Sequence, residues 1–109
     1  MDPKLQEALD KIPAELHEAL ETGKPFSLSV MPFDYGDEKV SSIDFPRRLK
    51  GKDMRGLKGN MDISDMMILL SRLIAKPSGF IDCLDGFDLQ VAFSIVNYFL
   101  STSPAIGNS

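Results

Sequence analysis

The sequence predicts an α+β domain: a β-hairpin packed on a small helical bundle, with an amphipathic N-terminal helix. Three observations predict it. Between Asp62 and Leu100, two strongly apolar segments, Ile63 to Ala75 and Phe87 to Leu100, repeat at helical spacing. Between residues 25 and 46 the period falls to two, the mark of half-buried strands. Residues 3 to 22 return to helical spacing beneath an acidic face. With 109 residues, 43% of them hydrophobic, the chain has the length of one domain and the side chains for a core.

The first helix takes its stripe from Leu5, Leu9, Ile12, Leu16, Ala19 and Leu20, and its acidic face from Glu7, Asp10, Glu18 and Glu21. Pro13 removes a backbone donor, so a kink is expected there, or a break with Pro13 opening a second short helix. Gly23 is the expected stop. Phe26-Ser27-Leu28-Ser29-Val30 and Val40-Ser41-Ser42-Ile43-Asp44-Phe45 are the two strands. The turn-rich run Pro32 to Glu38 is expected to join them as a longish loop. Two strands alone are marginal in water, so the hairpin needs helices or a second copy beside it.

A glycine-bearing connection follows, with a short helix from about Lys52 to Lys58 weakened by Gly56. Asp62 is the N-cap of the next helix, with Asp65 in its first turn, and Pro77 ends that helix. Residues 78 to 84 make one or two helical turns, and Asp85 caps the last helix with Asp88 three positions on. The organisation is thus an acidic arm at 1–23, a domain at 24–100 and a polar, unstructured tail at 101–109.

Charge is unevenly spread within a net −4. Residues 47 to 58 hold Arg47, Arg48, Lys50, Lys52, Arg55 and Lys58 against Asp53 alone, inside an otherwise acidic chain. Such a block can contact phosphates, yet it contains no aromatic residue to stack on bases. The last helix has no Arg or Lys to read a groove. Nucleic-acid binding or regulation through 47–58 is therefore the minor alternative, and a basic connection that holds an acidic partner segment is preferred. The longest apolar runs fall short of the ~20 residues that span a bilayer. The N-terminus does not read as a signal peptide.

Catalytic chemistry has no signature here. No GxSxG, HExxH or P-loop is present. His17 reads as a surface histidine beside Glu18 and Glu21, and Cys83 as a buried small hydrophobe. Asp62, Asp65, Asp82, Asp85 and Asp88 do not follow a calcium-loop pattern. The expectation is a non-enzyme with no cofactor, no metal and no small-molecule substrate.

Association is what remains. Ile63, Met66, Met67, Leu70 and Ile74 form one stripe, with Leu69 and Leu73 beside it; Phe87, Val91, Ile95 and Phe99 form another, with Leu89, Phe93, Val96 and Leu100 beside it. A surface helix needs one stripe. The expected division gives Ile63, Met67, Leu70 and Ile74, with Phe87, Val91, Ile95 and Phe99, to the fold. It gives Met66, Leu69, Leu73, Leu89, Phe93, Val96 and Leu100, with Arg47, Arg48 and Lys50, to a partner or a second copy. Met54, Met61, Met66 and Met67 add adaptable side chains suited to varied apolar segments.

The order Val30-Met31-Pro32, Gly36, Val40-x-x-Ile43-x-Phe45, Arg47-Arg48 and Lys52-Asp53-Met54 resembles the front half of the tail assembly chaperone family of contractile-tailed and Mu-like phages. The back half is similar too: Leu73-Ile74-Ala75, a proline elbow, Ile81-Asp82-x-Leu84-Asp85-x-x-Asp88 and a terminal helix closing on Tyr98-Phe99-Leu100. The resemblance spans residues 28 to 100; the acidic arm departs from it. It implies a (pro)phage protein of the bacterial host cytoplasm. Such a protein coats the apolar tape-measure protein while the tail tube assembles and has no catalytic residues; self-association is the expectation from the spare stripes. An oligomeric structural subunit of the tail is a further alternative.

Overall fold

The computed structural model describes residues 3–46, 50–57 and 62–102. Arg47, Arg48, Lys58, Met61 and the polar tail after Thr102 lie outside them. The fold is α+β: among the described residues it comprises a two-stranded antiparallel hairpin and five α-helices.

Helix α1 (Pro3–Lys11) ends just before Pro13. Pro13 opens a single 3-10 turn, Ala14–Leu16, and α2 (His17–Thr22) follows. Gly23 stops α2 in the left-handed region at φ 74°, its N–H donating to Ala19 O at 2.8 Å. The break at Pro13 leaves carbonyls at the end of α1 without helical partners. His17 supplies one: its Nε2–H reaches Leu9 O and Ile12 O, each at 3.0 Å. So His17 is no surface histidine; it is half-buried and splices α1 to α2. Nor does the segment stand apart as an arm. Leu9, Ile12, Leu16 and Leu20 join the common core, and α1 packs on the last helix.

Strands β1 (Phe26–Tyr35) and β2 (Glu38–Phe45) pair from Phe26 opposite Phe45 to Tyr35 opposite Glu38. The expected long loop is a two-residue turn, Gly36-Asp37, with Gly36 at φ 63°. Pro32 reads as a loop residue in the sequence because proline rarely sits inside a strand. Here it sits in a bulge. Ser29 faces Ser42 and Phe33 faces Val40, so Val30, Met31 and Pro32 stand opposite Ser41 alone. The bulge switches which residues face inward. Leu28 and, at the first bulge position, Val30 are buried; Phe33 and Tyr35 are half-buried after it and meet the Phe80 ring edge-on at 5.4 and 5.3 Å. At the open end of the hairpin, Phe26 stacks on Phe45 at 5.0 Å.

The connection after β2 makes one 3-10 turn, Gly51–Met54, in place of the expected helix, and Gly56 turns the chain at φ 82°. Arg72 holds it down by its backbone: Nη1 donates to Asp53 O at 2.8 Å and Arg55 O at 2.7 Å. Helix α3 (Ile63–Ile74) starts on a reciprocal cap between Asp62 and Asp65. It ends at Ala75, which takes the left-handed region at φ 57° while Lys76 N–H bonds Ser71 O. After α4 (Ser78–Asp82), Asp85 caps α5 (Gly86–Thr102) by accepting the Phe87 N–H at 3.1 Å.

Helix α5 is the central element. It packs against α1, α3 and β1, and its residues Val91, Ala92, Ile95, Val96, Tyr98 and Phe99 are buried. A helix that is apolar most of the way round belongs inside. Helix α3 buries Met66, Leu69, Leu70, Leu73 and Ile74, one continuous face at i, i+3, i+4, i+7 and i+8. Both stripes therefore belong to the core: Leu70, Ile74, Val91, Ile95 and Phe99 are buried as expected, and the stripes expected to be spare pack into the core with them. Leu69, Leu73 and Val96 have 0% of their surface exposed, while Ile63 and Phe87, expected to build the fold, are 69% and 74% exposed. Both exposed residues sit in the first turn of their helices, ahead of the packed layers.

Two measurements check this packing. Leu69→Ala and Leu73→Ala should each cost about 2–5 kcal/mol in urea denaturation, against less than about 0.5 kcal/mol for Ile63→Ser. Ala75→Gly should raise stability by about 1 kcal/mol, since alanine is strained at a left-handed position; a loss would show that φ is not what limits the cap.

Candidate functional site

The first turn of α5 carries the most exposed large apolar side chain described, Phe87. Its placement follows from the two aspartates beside it. Asp85 fixes the helix start from below. Asp88, in the first turn, is expected from the sequence to serve the helix dipole alone; it also points at the hairpin and accepts the Met31 N–H at 2.7 Å. Asp88 is only 9% exposed, so this is a charge-assisted bond in a largely desolvated place. Met31 lies in the bulge, where its N–H has turned away from β2, and its side chain is 62% exposed. Met31 and Phe87, both exposed, thus belong to two segments that one hydrogen bond joins. The bond ties the bulge that carries Met31 to the first turn of α5, which also carries Phe87.

On its other flank Phe87 borders an open groove of about 490 Å³. Leu9, Ile12, Pro13, Ala14 and Val91 supply its apolar wall, with Asp10, Lys11 and His17 among its polar lining. The Pro13 break between α1 and the 3-10 turn lies in the wall of this groove.

The expected partner-binding residues are not brought together. Leu69, Leu73 and Val96 are fully enclosed, and Met66 is buried. Leu89, Phe93 and Leu100 are half-buried and packed against the core. Burial, not a free face, explains why these helices carry two stripes. Lys50 is exposed, and Arg47 and Arg48 fall outside the described residues. Sequence reasoning misses Met31, Phe87 and Ile68, the last 39% exposed. A signal for Phe87 is present: a large apolar residue two positions after an N-cap precedes the turns that pack.

Little else offers chemistry. Among the described residues, no group of three or more His, Cys, Asp or Glu side chains lies together as a metal site would require. Cys83 is exposed rather than buried, with its Sγ 3.4 Å from Gly79 O one turn back. No helix among the described residues is long and apolar enough to cross a membrane. Comparison with protein-family models, curated proteins and solved structures finds no match to this chain.

Asp88→Ala should leave the Met31 N–H without its partner and cost about 1–3 kcal/mol in denaturant unfolding. Hydrogen exchange at the Met31 amide should speed up by a larger factor than at neighbouring strand amides. Asp88→Asn keeps an acceptor and should recover part of both effects; equal losses in the two variants would mean the bond does not hold the hairpin on α5.

Proposed function

We propose that this protein is a non-enzymatic binding protein that holds an apolar helical segment of another protein on the face carrying Met31 and Phe87. The observation that carries the reading is the exposure of Phe87 at the border of an apolar groove, with exposed Met31 on the hairpin segment that Asp88 bonds to the same helix turn. Leaving a phenylalanine in water forgoes about 1.5–3 kcal/mol that burial would return. An exposed phenylalanine at the rim of an apolar groove is the pattern of a contact surface rather than of scattered exposure. Met31 adds a flexible, polarisable contact suited to a partner of variable sequence. The net charge of −4 keeps such a surface soluble.

The resemblance to phage tail assembly chaperones names a partner of this chemistry. A tape-measure protein before assembly is a long helical chain with uncovered apolar stripes, and a chaperone for it acts in the bacterial host cytoplasm. This reading replaces the Leu69 and Leu73 face with the Met31 and Phe87 face as the holding surface.

Fluorescence anisotropy with a labelled amphipathic helix of Leu and Ala, and with a scrambled control of the same composition, tests it. Phe87→Ser should weaken binding of the amphipathic helix roughly ten- to a hundredfold, and Met31→Ser to a similar or smaller extent, with melting temperatures little changed. Co-expression with a phage tape-measure protein should keep that protein soluble, and the two variants should lose this. Helix binding indifferent to both substitutions would sink the proposal, as would tight, steeply salt-dependent binding to DNA in its place.

A further inference from the structure

The groove beside Phe87 is walled by acidic stretches of the chain. Its lining comes from the α1–α2 segment on one side and from α5 on the other. Residues 3–22 hold Glu7, Asp10, Glu15, Glu18 and Glu21 against Lys4 and Lys11. Residues 77–102 hold Asp82, Asp85 and Asp88 and no lysine or arginine. Eight acids and two bases make −6 for these stretches, against −4 for the whole chain. The compensating cations sit in the 47–58 block, whose backbone Arg72 ties to α3.

The charge also lies close to the apolar wall. Asp10 lines the groove and is exposed. One of its oxygens accepts from Gln6 Nε2 at 2.9 Å, which leaves the carboxylate lone pairs for further donors. At the start of α2, Leu16 precedes His17 and is buried, while Glu18 follows it and is exposed. Glu18 therefore stands on the solvent side of a groove-lining residue. Glu15, next to groove-lining Ala14, is exposed as well. Lys11 is the one lysine in the lining, and its Nζ lies 3.5 Å from Glu7. Gln90 and Asn97, exposed farther along α5, are uncharged.

Resting on the binding function proposed above, we infer that the segment held against Phe87 is a cationic amphipathic helix. Its apolar stripe lies in the groove, and lysine or arginine on its flanks meets Asp10, Glu15 and Glu18. Two different interactions then divide the work. Apolar contact with Phe87 and the groove wall supplies affinity. The carboxylates select the sign of the partner and speed its arrival, which is what charges around an apolar contact do best. An apolar groove by itself accepts any helix with a matching stripe. An acidic rim turns away acidic helices by like-charge repulsion.

Three labelled helices with the same leucine stripe, and with polar faces of lysine, glutamine or glutamate, test this by fluorescence anisotropy. The lysine helix should bind about tenfold more tightly than the glutamine helix at low salt, and the glutamate helix more weakly than either. The ratio should fall toward one at about 1 M salt, where the screening length is about 3 Å. Asp10→Asn combined with Glu18→Gln should also bring the ratio of lysine to glutamine helix toward one, and Glu15→Gln with Glu18→Gln should act in the same direction. Phe87→Ser should weaken the lysine and glutamine helices by similar factors. Equal binding of all three helices, lost in Phe87→Ser, overturns the charge preference and leaves the apolar reading of the groove standing; binding of none of them overturns both. A lysine preference that survives in both double variants overturns the assignment to these carboxylates. So does a lysine helix held as tightly by Phe87→Ser, because charge alone is then holding it away from the groove. Self-association of the chain without any helix, abolished by Glu18→Lys in sedimentation velocity, makes a second copy the occupant and overturns the proposal too.

Discussion

Covering α5 is the constraint on which the rest of the structure depends. Its 17 residues are apolar on most of their circumference, and no single neighbour can shield such a surface. Three elements shield it together, with α1 along one side, α3 along another and β1 across the start. Each is too short or too few-stranded to stand alone in water. Helices of 9 and 12 residues are marginal when isolated, as is a lone hairpin. Their stability is therefore borrowed from α5, and α5 is soluble only because they cover it. Loss of packing at Leu69, Leu73 or Val96 is felt by the whole fold for this reason.

Apolar burial fixes which faces meet but leaves register loose, and a few polar bonds settle it. Asp88 sets the hairpin against the first turn of α5. Arg72 sets the connection 50–57 against α3 through two backbone carbonyls. His17 sets α2 against the end of α1. In each case a side chain carried on a helix satisfies backbone groups that irregular chain has left without partners. Bulge, 3-10 turn and proline break are the three places where the ladder fails, and each has its own polar tie. The basic block is the clearest instance: Lys50, Lys52 and Arg55 remain solvent-facing to differing degrees while a cation from α3 holds their backbone.

Local signals are legible in the sequence and long-range ones are not. Asp62, Asp85 and Gly23 declare helix ends because capping involves only residues a turn apart. The alternation at Phe26 to Val30 declares a strand for the same reason. The identity of the exposed apolar residues depends on which elements surround α5, and periodicity within one helix contains no such knowledge. Two adjacent stripes on α3 look like a core face and a spare face. They are one broad face when helix, sheet and connection all lie against it. His17 and Asp88 read as surface groups because their acceptor and donor lie 5 to 57 residues away. Pro32 reads as a loop residue because a bulge is visible only once its partner strand is known.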